Sequence, residues 1–204
     1  MLDLELLAAP DAELLPLADA KAHVSVEADD DSQDAEIAAY VAAAVGHLDG
    51  YAGILGRALA QQSWRLYLDA FPAWTLGLPL PPLISVQSVK YLDSTDGTLR
   101  ALDPTLYLVM AGERAELTPA FGQVWPIARY QARAVTIDFT CGWPAPTGGD
   151  PWPSKLQPVI AALKLMTGDL YQNRETAILD GRTAEIPMSA TVERLLRPLR
   201  VPRF

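Results

Sequence analysis

The first part of the chain has the hydrophobic spacing of helices. Between residues 31 and 56, apolar side chains recur at every third or fourth position, which places them on one face of a helix. They are Ile37, Val41, Val45, Leu48 and Ala52. Asp31 or Ser32 is the expected N-cap, and Gly53 is a stop signal. A shorter helix is predicted before this one, over residues 17–24.

From residue 62 onward the hydrophobic period changes to two, as in half-buried strands. The stretch LPPLISVQSVKYLDSTDGTLRAL contains a complete hairpin. Its turn is formed by Ser94, Thr95, Asp96 and Gly97, of which the glycine can adopt positive φ. The predicted strands cover residues 64–70, 84–92, 98–102, 106–110, 115–118 and 134–141. Their short connections predict an antiparallel β unit.

Helical spacing returns after a loop rich in Gly and Pro. One helix is predicted over residues 154–173, and Ser189 can cap a last helix that ends at Pro198. The order of helices, strands and helices predicts an α+β fold. Residues 1–62 and 150–204 would form a helical bundle from both ends of the chain, and residues 63–149 would form an inserted antiparallel β unit.

The formal net charge of −9 is unevenly distributed. Residues 1–50 contain twelve acidic residues and a single base, Lys21. The C-terminal segment carries positive charge instead. Its arginines are Arg194, Arg197, Arg200 and Arg203. Such polarity indicates either that the two ends face different surroundings or that a solvated acidic face accompanies an ordinary basic helix end. The acidic balance opposes nonspecific DNA binding as the main function.

The expected location follows from the cysteine count and the N-terminus. Cys141 is the only cysteine, so an intrachain disulfide is excluded and a reducing compartment is expected. Acidic residues interrupt the apolar N-terminal stretch, which lacks the positive start of a signal peptide. No apolar run approaches the roughly 18 residues of a membrane span. The sequence therefore predicts a protein that folds in the cytoplasm and has no membrane partner.

The residue types of known active sites do not occur in suitable patterns. His23 and His47 are the only histidines, and neither lies at metal-ligand spacing from another ligand. Cys141 is expected to be a buried, inert thiol. The acidic run at residues 29–36 lacks the Gly and Glu that a calcium loop requires, and helix capping explains its residues. We therefore expect no catalytic residues, no metal and no cofactor, although carboxylates distant in sequence could still form a pair.

The tryptophans allow two interpretations. All lie in or beside the predicted β unit. They are Trp64, Trp74, Trp125, Trp143 and Trp152. Exposed tryptophans would suit a carbohydrate- or peptide-binding β module with helical flanks. Tryptophans are also common in small β cores and protein interfaces, and this interpretation is favoured.

An ordered set of segments resembles a known family. These segments are LADAKAHVSVE, DDDSQDAEI, GRALAQQSWRLYLDAFP, LPLPPLISVQSVKYLDSTDGTLRALDPTLYLV, AFGQVWPIARYQARAVTIDFTCGWP and LQPVIAALKLMTGDLYQNRE. In this order they resemble the head–tail connector, or adaptor, proteins of long-tailed bacteriophages and of phage-derived gene transfer agents. The resemblance covers about residues 17–175, with Gly56-Arg57-Ala58-Leu59, Trp64 and Trp125-Pro126 as its best markers. Gln172 departs from the family, which usually has Glu at this position.

The resemblance implies a structural function without catalysis. Such connectors bind beneath the portal protein of a DNA-filled capsid as a ring of about twelve copies, a dodecamer closed by rotation. They extend the DNA channel and present a docking face to a tail-side stopper or terminator protein. DNA passes without specific binding. The implied location is the head–tail junction of a virion or virion-like particle, after assembly in the bacterial cytoplasm.

Three surfaces are candidate sites for this function. The basic C-terminal segment is the candidate portal-binding site, through Arg194, Arg197, Arg200, Arg203 and Phe204. The candidate channel-facing acids are Asp29, Asp30, Asp31 and Asp34. The candidate docking surface is the turn of Ser94, Thr95, Asp96 and Gly97, which could instead only close the sheet. The rival functions are the carbohydrate- or peptide-binding module and a small hydrolase with a carboxylate pair.

Overall fold

The computed structural model describes residues 2–10, 12–173, 178–179, 182–183 and 189–201. The chain forms two compact units. The β unit consists of Met1–Ala12 and Arg57–Ala145, and the helical unit consists of Glu13–Gly56 and Pro146–Phe204. The mixture of helices with antiparallel sheets confirms the predicted α+β class.

The β unit contains a five-stranded antiparallel sheet in the order β1-β2-β8-β4-β5 and a three-stranded sheet in the order β3-β7-β6. The strands are β1 (Asp3–Ala8), β2 (Gln62–Leu68), β3 (Leu76–Gly77), β4 (Leu83–Leu92), β5 (Leu99–Ala101), β6 (Tyr107–Met110), β7 (Glu116–Pro119) and β8 (Val135–Cys141). The central strand β8 pairs with β2 on one side and with β4 on the other.

Strand β8 shows why this sheet forms. Val135, Ile137 and Phe139 alternate along the strand and are fully buried, as the period of two predicts. On the other face, Asp138 accepts hydrogen bonds from Arg65 Nε at 2.6 Å and from Ser88 Oγ at 3.1 Å. The guanidinium of Arg65 lowers the pKa of Asp138. One face therefore builds the core, and the other joins β2, β8 and β4 through polar contacts.

The N-terminal residues require a correction. Residues 1–62 were predicted to belong to the helical bundle, but Asp3–Ala8 forms the edge strand β1 and pairs with β2 from Asp3↔Tyr67 to Ala8↔Ser63. The alternation of Leu4 and Leu6 with acidic residues is a strand signal, although a short one. Its burial is weak, because four of the six residues are exposed.

The helical unit follows the predicted periodicity. Its helices are α1 (Leu17–His23), α2 (Asp34–Leu48), α3 (Gln157–Gln172) and α4 (Ala190–Leu196). Ile37 and Leu48 of α2 are fully buried, as are Val159 and Leu163 of α3. Two short strands, β9 (Ile178–Leu179) and β10 (Arg182–Thr183), pair with each other. None of the helices in the described part of the chain combines the length and apolar character of a membrane span.

The start of α2 differs from the prediction. Gln33 occupies the N-cap and makes no side-chain capping bond, whereas Asp31 or Ser32 was expected there. The Asp30 carboxylate accepts hydrogen bonds from the backbone N–H of Ser32 at 3.1 Å and from its hydroxyl at 2.6 Å. Because Ser32 takes part in this local turn, it does not cap the helix, and α2 begins two residues after it, at Asp34.

Gly142 allows a close approach of two backbone segments. It follows β8 with φ of +96°, and a Cβ atom there would collide with the carbonyl group of Ala60. Its N–H donates to Pro82 O at 2.8 Å, while Trp143 O accepts from Gln61 N at 2.9 Å. Glycine is therefore required where the end of β8 meets the segment that enters β2.

Candidate docking surfaces

The predicted hairpin turn is an exposed and internally hydrogen-bonded structure. Its ends are joined by a hydrogen bond from Asp93 N to Thr98 O and another from Gly97 N to Asp93 O, both at 2.9 Å. The carboxylate of Asp96 accepts from Thr98 N at 2.9 Å and from Arg100 Nη2 at 2.9 Å. Arg100 also lies 3.2 Å from Asp93. Ser94, Thr95 and Asp96 are exposed, so the turn presents a shape that is fixed before any partner binds.

These hydrogen bonds set the acidity of the turn. The backbone N–H and hydroxyl of Thr98, followed by Arg100, lower the pKa of Asp96 from 3.8 to about 2. Because the folded pKa lies below the ordinary value, the contribution of this carboxylate to stability is complete above about pH 4 and is lost as the pH falls towards 2. The turn is therefore fully bonded at neutral pH.

An NMR titration of the Asp96 carboxyl tests this geometry. We expect a midpoint near pH 2 in the wild-type chain, as its contacts indicate. Thr98→Val keeps the backbone donor and removes the hydroxyl, so it is expected to raise the midpoint part of the way towards the ordinary value of about 3.9. A wild-type midpoint near the ordinary value would show that the turn is not held together by Asp96.

The acidic stretch divides into two parts. Asp29, Asp30 and Asp31 are exposed, and the carboxylate of Asp30 is engaged by Ser32. Ser32 donates through both its N–H and its hydroxyl, and these two bonds lower the pKa of Asp30. These three side chains can therefore form a solvated acidic surface on the helical unit.

Asp34 has a different, structural position. Its Oδ1 lies 2.7 Å from Nζ of Lys21, whose side chain is 6% exposed. The same ammonium donates to Asp30 O at 2.8 Å and to Ala28 O at 3.2 Å. The single base among the first fifty residues thus joins α1, the acidic stretch and the start of α2. Asp34 belongs to this buried cluster, which the sequence analysis did not predict.

The C-terminal arginines lie on a packed helix. Val192 and Leu196 of α4 are fully buried in the helical unit, and Val201 N donates to Leu55 O at 2.8 Å. The described arginines of this segment are all exposed. They are Arg194, Arg197 and Arg200. Arg203 and Phe204 lie outside the described residues. The segment is therefore folded within the helical unit as far as Val201.

The positions of the tryptophans bear on the carbohydrate-binding alternative. Trp125 is 9% exposed and Trp74 is 61% exposed. Trp64, Trp143 and Trp152 have intermediate burial. A sugar-stacking platform requires several open indole faces, and Trp74 alone presents one. The burial of the others favours the core and interface interpretation.

The described residues offer few groups for metal binding or hydrolysis. No cluster of three or more His, Cys, Asp or Glu side chains there could hold a metal ion. Cys141 is buried, and its thiol lies 3.8 Å from Gln62 O. Of the closely placed carboxylates, Asp93 and Asp96 share Arg100, and both have lowered pKa values. A general acid needs the opposite shift, so this pair does not suit hydrolysis.

One exposed apolar surface was not predicted from the sequence. Between β7 and β8, the side chains of Phe121 and Tyr130 are completely exposed, and those of Val124 and Ile127 are nearly so. Its signal in the sequence was the apolar stretch AFGQVWPIARY, which also contains the buried Trp125. Periodicity could not separate the inward residue from the outward ones, because this stretch is neither helix nor strand.

Comparison with known proteins gives similarity at the level of structure alone. No protein-family model matches the chain, and neither does any curated protein. The neck of an empty gene transfer agent (GTA) particle, computed with C6 symmetry, contains a chain that is 24% identical in sequence to this one. The two folds match with a TM-score of 0.73, and the match covers 99% of this chain and 97% of that one.

Two further solved structures give the same result. A chain in the virion of a native gene transfer agent (GTA) particle is 24% identical with a TM-score of 0.71, covering 98% of this chain and 96% of that one. A chain in the neck of a native GTA particle, computed with C12 symmetry, is 23% identical with a TM-score of 0.65. The match covers 99% of this chain and 97% of that one. The chain therefore has, over nearly its whole length, the fold of proteins found in GTA particles, the class of particle that the sequence resemblance indicated.

Proposed function

We propose that this chain is a structural head–tail connector of a phage-like particle. In this function it docks on the portal ring of a DNA-filled capsid, extends the DNA channel and presents a docking face to a stopper or terminator protein. The observation that carries the proposal is the shared fold with neck chains, which covers 99% of this chain and 97% of the neck chain.

The ring is supported by symmetry and by the fixed surfaces of the chain. The neck structures that share its fold were computed with C6 and C12 symmetry. Rotational symmetry requires each copy to contact two neighbours through different patches. The hydrogen-bonded hairpin and the packed helix α4 are preformed, so their attachment to partners loses little conformational entropy.

Portal docking is assigned to the exposed arginines of the C-terminal segment. Buried Val192 and Leu196 hold α4 in place, while Arg194, Arg197 and Arg200 face solvent. Fixed guanidinium groups suit carboxylates on a partner, because they donate two parallel hydrogen bonds.

Replacement of these arginines tests the assignment. The triple variant Arg194→Gln, Arg197→Gln, Arg200→Gln changes only exposed side chains, and Gln suits Arg194, the position within α4, so the variant is expected to fold normally. We expect its affinity for isolated portal rings, measured by co-sedimentation, to fall by about a hundredfold or more, since three charged contacts are lost.

The matched control removes the same charge elsewhere, with Arg114→Gln, Lys155→Gln and Lys164→Gln. We expect this variant to sediment with portal rings as the wild-type chain does. Equal binding by both variants would exclude the C-terminal arginines as the portal contact. A deletion after Ser189 is less suitable, because it removes the buried Val192 and Leu196 together with the arginines.

The exposed acids are assigned to the wall of the DNA channel. A negative wall repels phosphates and lets DNA slide without tight contacts. Asp29→Lys with Asp31→Lys is expected to slow DNA release from particles several-fold, because each lysine adds a phosphate contact. Asp150→Lys with Asp169→Lys introduces the same charge at other exposed sites and should leave release unchanged. Faster release from the first variant would contradict the assignment.

Deletion of the chain tests the function as a whole. Particles made without it are expected to have DNA-filled heads and free tails that do not join, visible by negative-stain electron microscopy. Plasmid-borne wild-type chain should restore joined particles and DNA delivery. Complete, infective or transducing particles formed without the chain would refute the proposal.

A further inference from the structure

One loop of the β unit holds large apolar side chains in solvent. It connects β7 to β8, spans residues 120–134 and is called the apolar loop. The exposed fractions of its outward side chains are 103%, 80%, 78% and 104%, for Phe121, Val124, Ile127 and Tyr130. Single exposed apolar residues are ordinary, but four in one loop have the character of an interaction site.

The backbone of the apolar loop is fixed by contacts with the rest of the β unit. Trp125 points inward, where its Nε1 donates to Trp74 O at 2.5 Å and its ring stacks on Phe71 with centroids 5.0 Å apart. Arg129 N donates to Leu92 O at 2.8 Å. Because the loop is held at these points, its outward side chains are presented from fixed backbone positions. A preformed surface loses little entropy when a partner binds.

The size and charge of the loop describe the partner surface. Two exposed aromatic side chains can each bury about 150–250 Å², a substantial part of the roughly 800 Å² per partner in a stable interface. The loop contains two basic residues, Arg129 and Arg133, and no acidic residue. Arg133 is already bound within its own chain, with its Nε 2.6 Å from Asp3 Oδ2, so the complement of the loop is chiefly an apolar surface.

Strand β1 of the same chain provides such a surface. It forms one edge of the five-stranded sheet and, among the residues that the structure describes, pairs with β2 alone. It exposes Leu6 by 46% and Leu7 by 43%, whereas the carboxylates of Asp3 and Glu5 accept hydrogen bonds within the chain from Arg133 and Tyr67. Exposed apolar edge strands tend to associate with other chains unless they are covered.

The apolar loop and the exposed leucines of β1 form different patches of the β unit. The base of the loop meets the start of β1, where Arg133 Nε lies 2.6 Å from Asp3 Oδ2, whereas Leu6 and Leu7 lie towards the other end of that strand. A contact between two different patches is head-to-tail, and it closes into a ring when it is repeated by the appropriate rotation. The C12 symmetry of a neck that shares this fold fits such a contact.

We propose that the apolar loop of one subunit packs on the β1 edge of the next copy of this chain, and that this contact closes the ring. The inference rests on the proposed function, since it identifies the contact between ring neighbours. The partner is therefore a second copy, and the loop is not the docking face for the tail-side protein.

Disulfide trapping tests the contact directly. The only native cysteine, Cys141, is buried, so engineered thiols alone will react. The double variant Leu6→Cys, Val124→Cys is assembled on portal rings and oxidised. We expect a ladder of covalent oligomers on a non-reducing gel. Each single variant should remain monomeric, because a head-to-tail contact does not bring the same residue of two copies together.

A second set of variants measures the contribution of the loop. Phe121→Ser, Val124→Ser and Ile127→Ser together change exposed side chains and should leave the circular dichroism spectrum unchanged. We expect ring occupancy on portals to fall by about tenfold or more, as for central interface residues. The control is Leu99→Ser with Leu108→Ser, which changes apolar residues outside the loop that are 62% and 57% exposed, and it should assemble normally.

The outcomes separate this inference from the proposed function. If the wild-type chain forms no ring on portals, the proposed function fails and the inference fails with it. If rings form but the double cysteine variant stays monomeric after oxidation, the loop–β1 contact is wrong and the proposed function stands. A serine variant that forms rings and loses only the tail-side protein would place the tail-side protein on the loop and overturn the inference.

Discussion

Replacing Lys21 by methionine is expected to lower the free energy of unfolding of the helical unit by about 3 kcal/mol. The ammonium of Lys21 lies 2.7 Å from Asp34 Oδ1 and donates to the carbonyls of Asp30 and Ala28. Methionine has similar volume and helix propensity, so packing and α1 are preserved. The variant leaves a half-buried carboxylate and two carbonyl groups without their donor. Chemical denaturation followed by far-ultraviolet circular dichroism measures the loss.

The control for this prediction is Lys164→Met. Lys164 pairs with Asp19 at 3.5 Å, but the side chains are 33% and 58% exposed. Solvent screens such a pair, and its loss should change stability by less than about 1 kcal/mol. Equal effects of the two substitutions would mean that Lys21 is an ordinary surface lysine and that the acidic stretch is not held by it.

Replacing Gly142 by alanine is expected to destabilise the β unit by about 3 kcal/mol or more, through backbone strain and overpacking. Its φ of +96° is unfavourable for alanine, and the added Cβ would collide with the carbonyl group of Ala60. Relief would require the end of β8 to move away from the segment that enters β2. Tryptophan fluorescence during denaturation reports this unit, which contains Trp64, Trp74, Trp125 and Trp143.

Gly112→Ala separates the effect of backbone strain from that of a steric collision of the added Cβ atom. Gly112 belongs to the same unit and has φ of +81°, but a Cβ atom there would meet nothing within 4 Å. The expected loss is about 1–2 kcal/mol, from the left-handed backbone alone. If Gly142→Ala is no more destabilising than Gly112→Ala, the close approach of the two backbone segments is not rigid.

The elements with one buried face could be predicted from the sequence. Strand β8 was expected over residues 134–141 and occurs at Val135–Cys141, because alternate burial of Val135, Ile137 and Phe139 requires alternate apolar residues. Strand β1 was missed, since it is mostly exposed and its partner β2 lies far along the chain. Local pattern carries little information about pairing at such a distance.

The candidate surfaces were predictable only in part. The turn at Ser94–Gly97 follows from residue types that favour turns, but the contacts of Asp96 with Thr98 and Arg100 depend on the path of the folded hairpin. The partners of Lys21 include backbone carbonyls, which no residue pattern reveals. In the apolar loop, the sequence could not show that Trp125 points inward while its apolar neighbours face solvent.

The proposed function requires this chain to form a ring on the portal. The most direct measurement combines the purified chain with purified portal rings from the same particle and determines the structure of the product by electron cryo-microscopy. We expect a closed ring of about twelve copies, coaxial with the portal and bound to one of its faces. Portal rings that remain bare at saturating concentrations of the folded chain would contradict it.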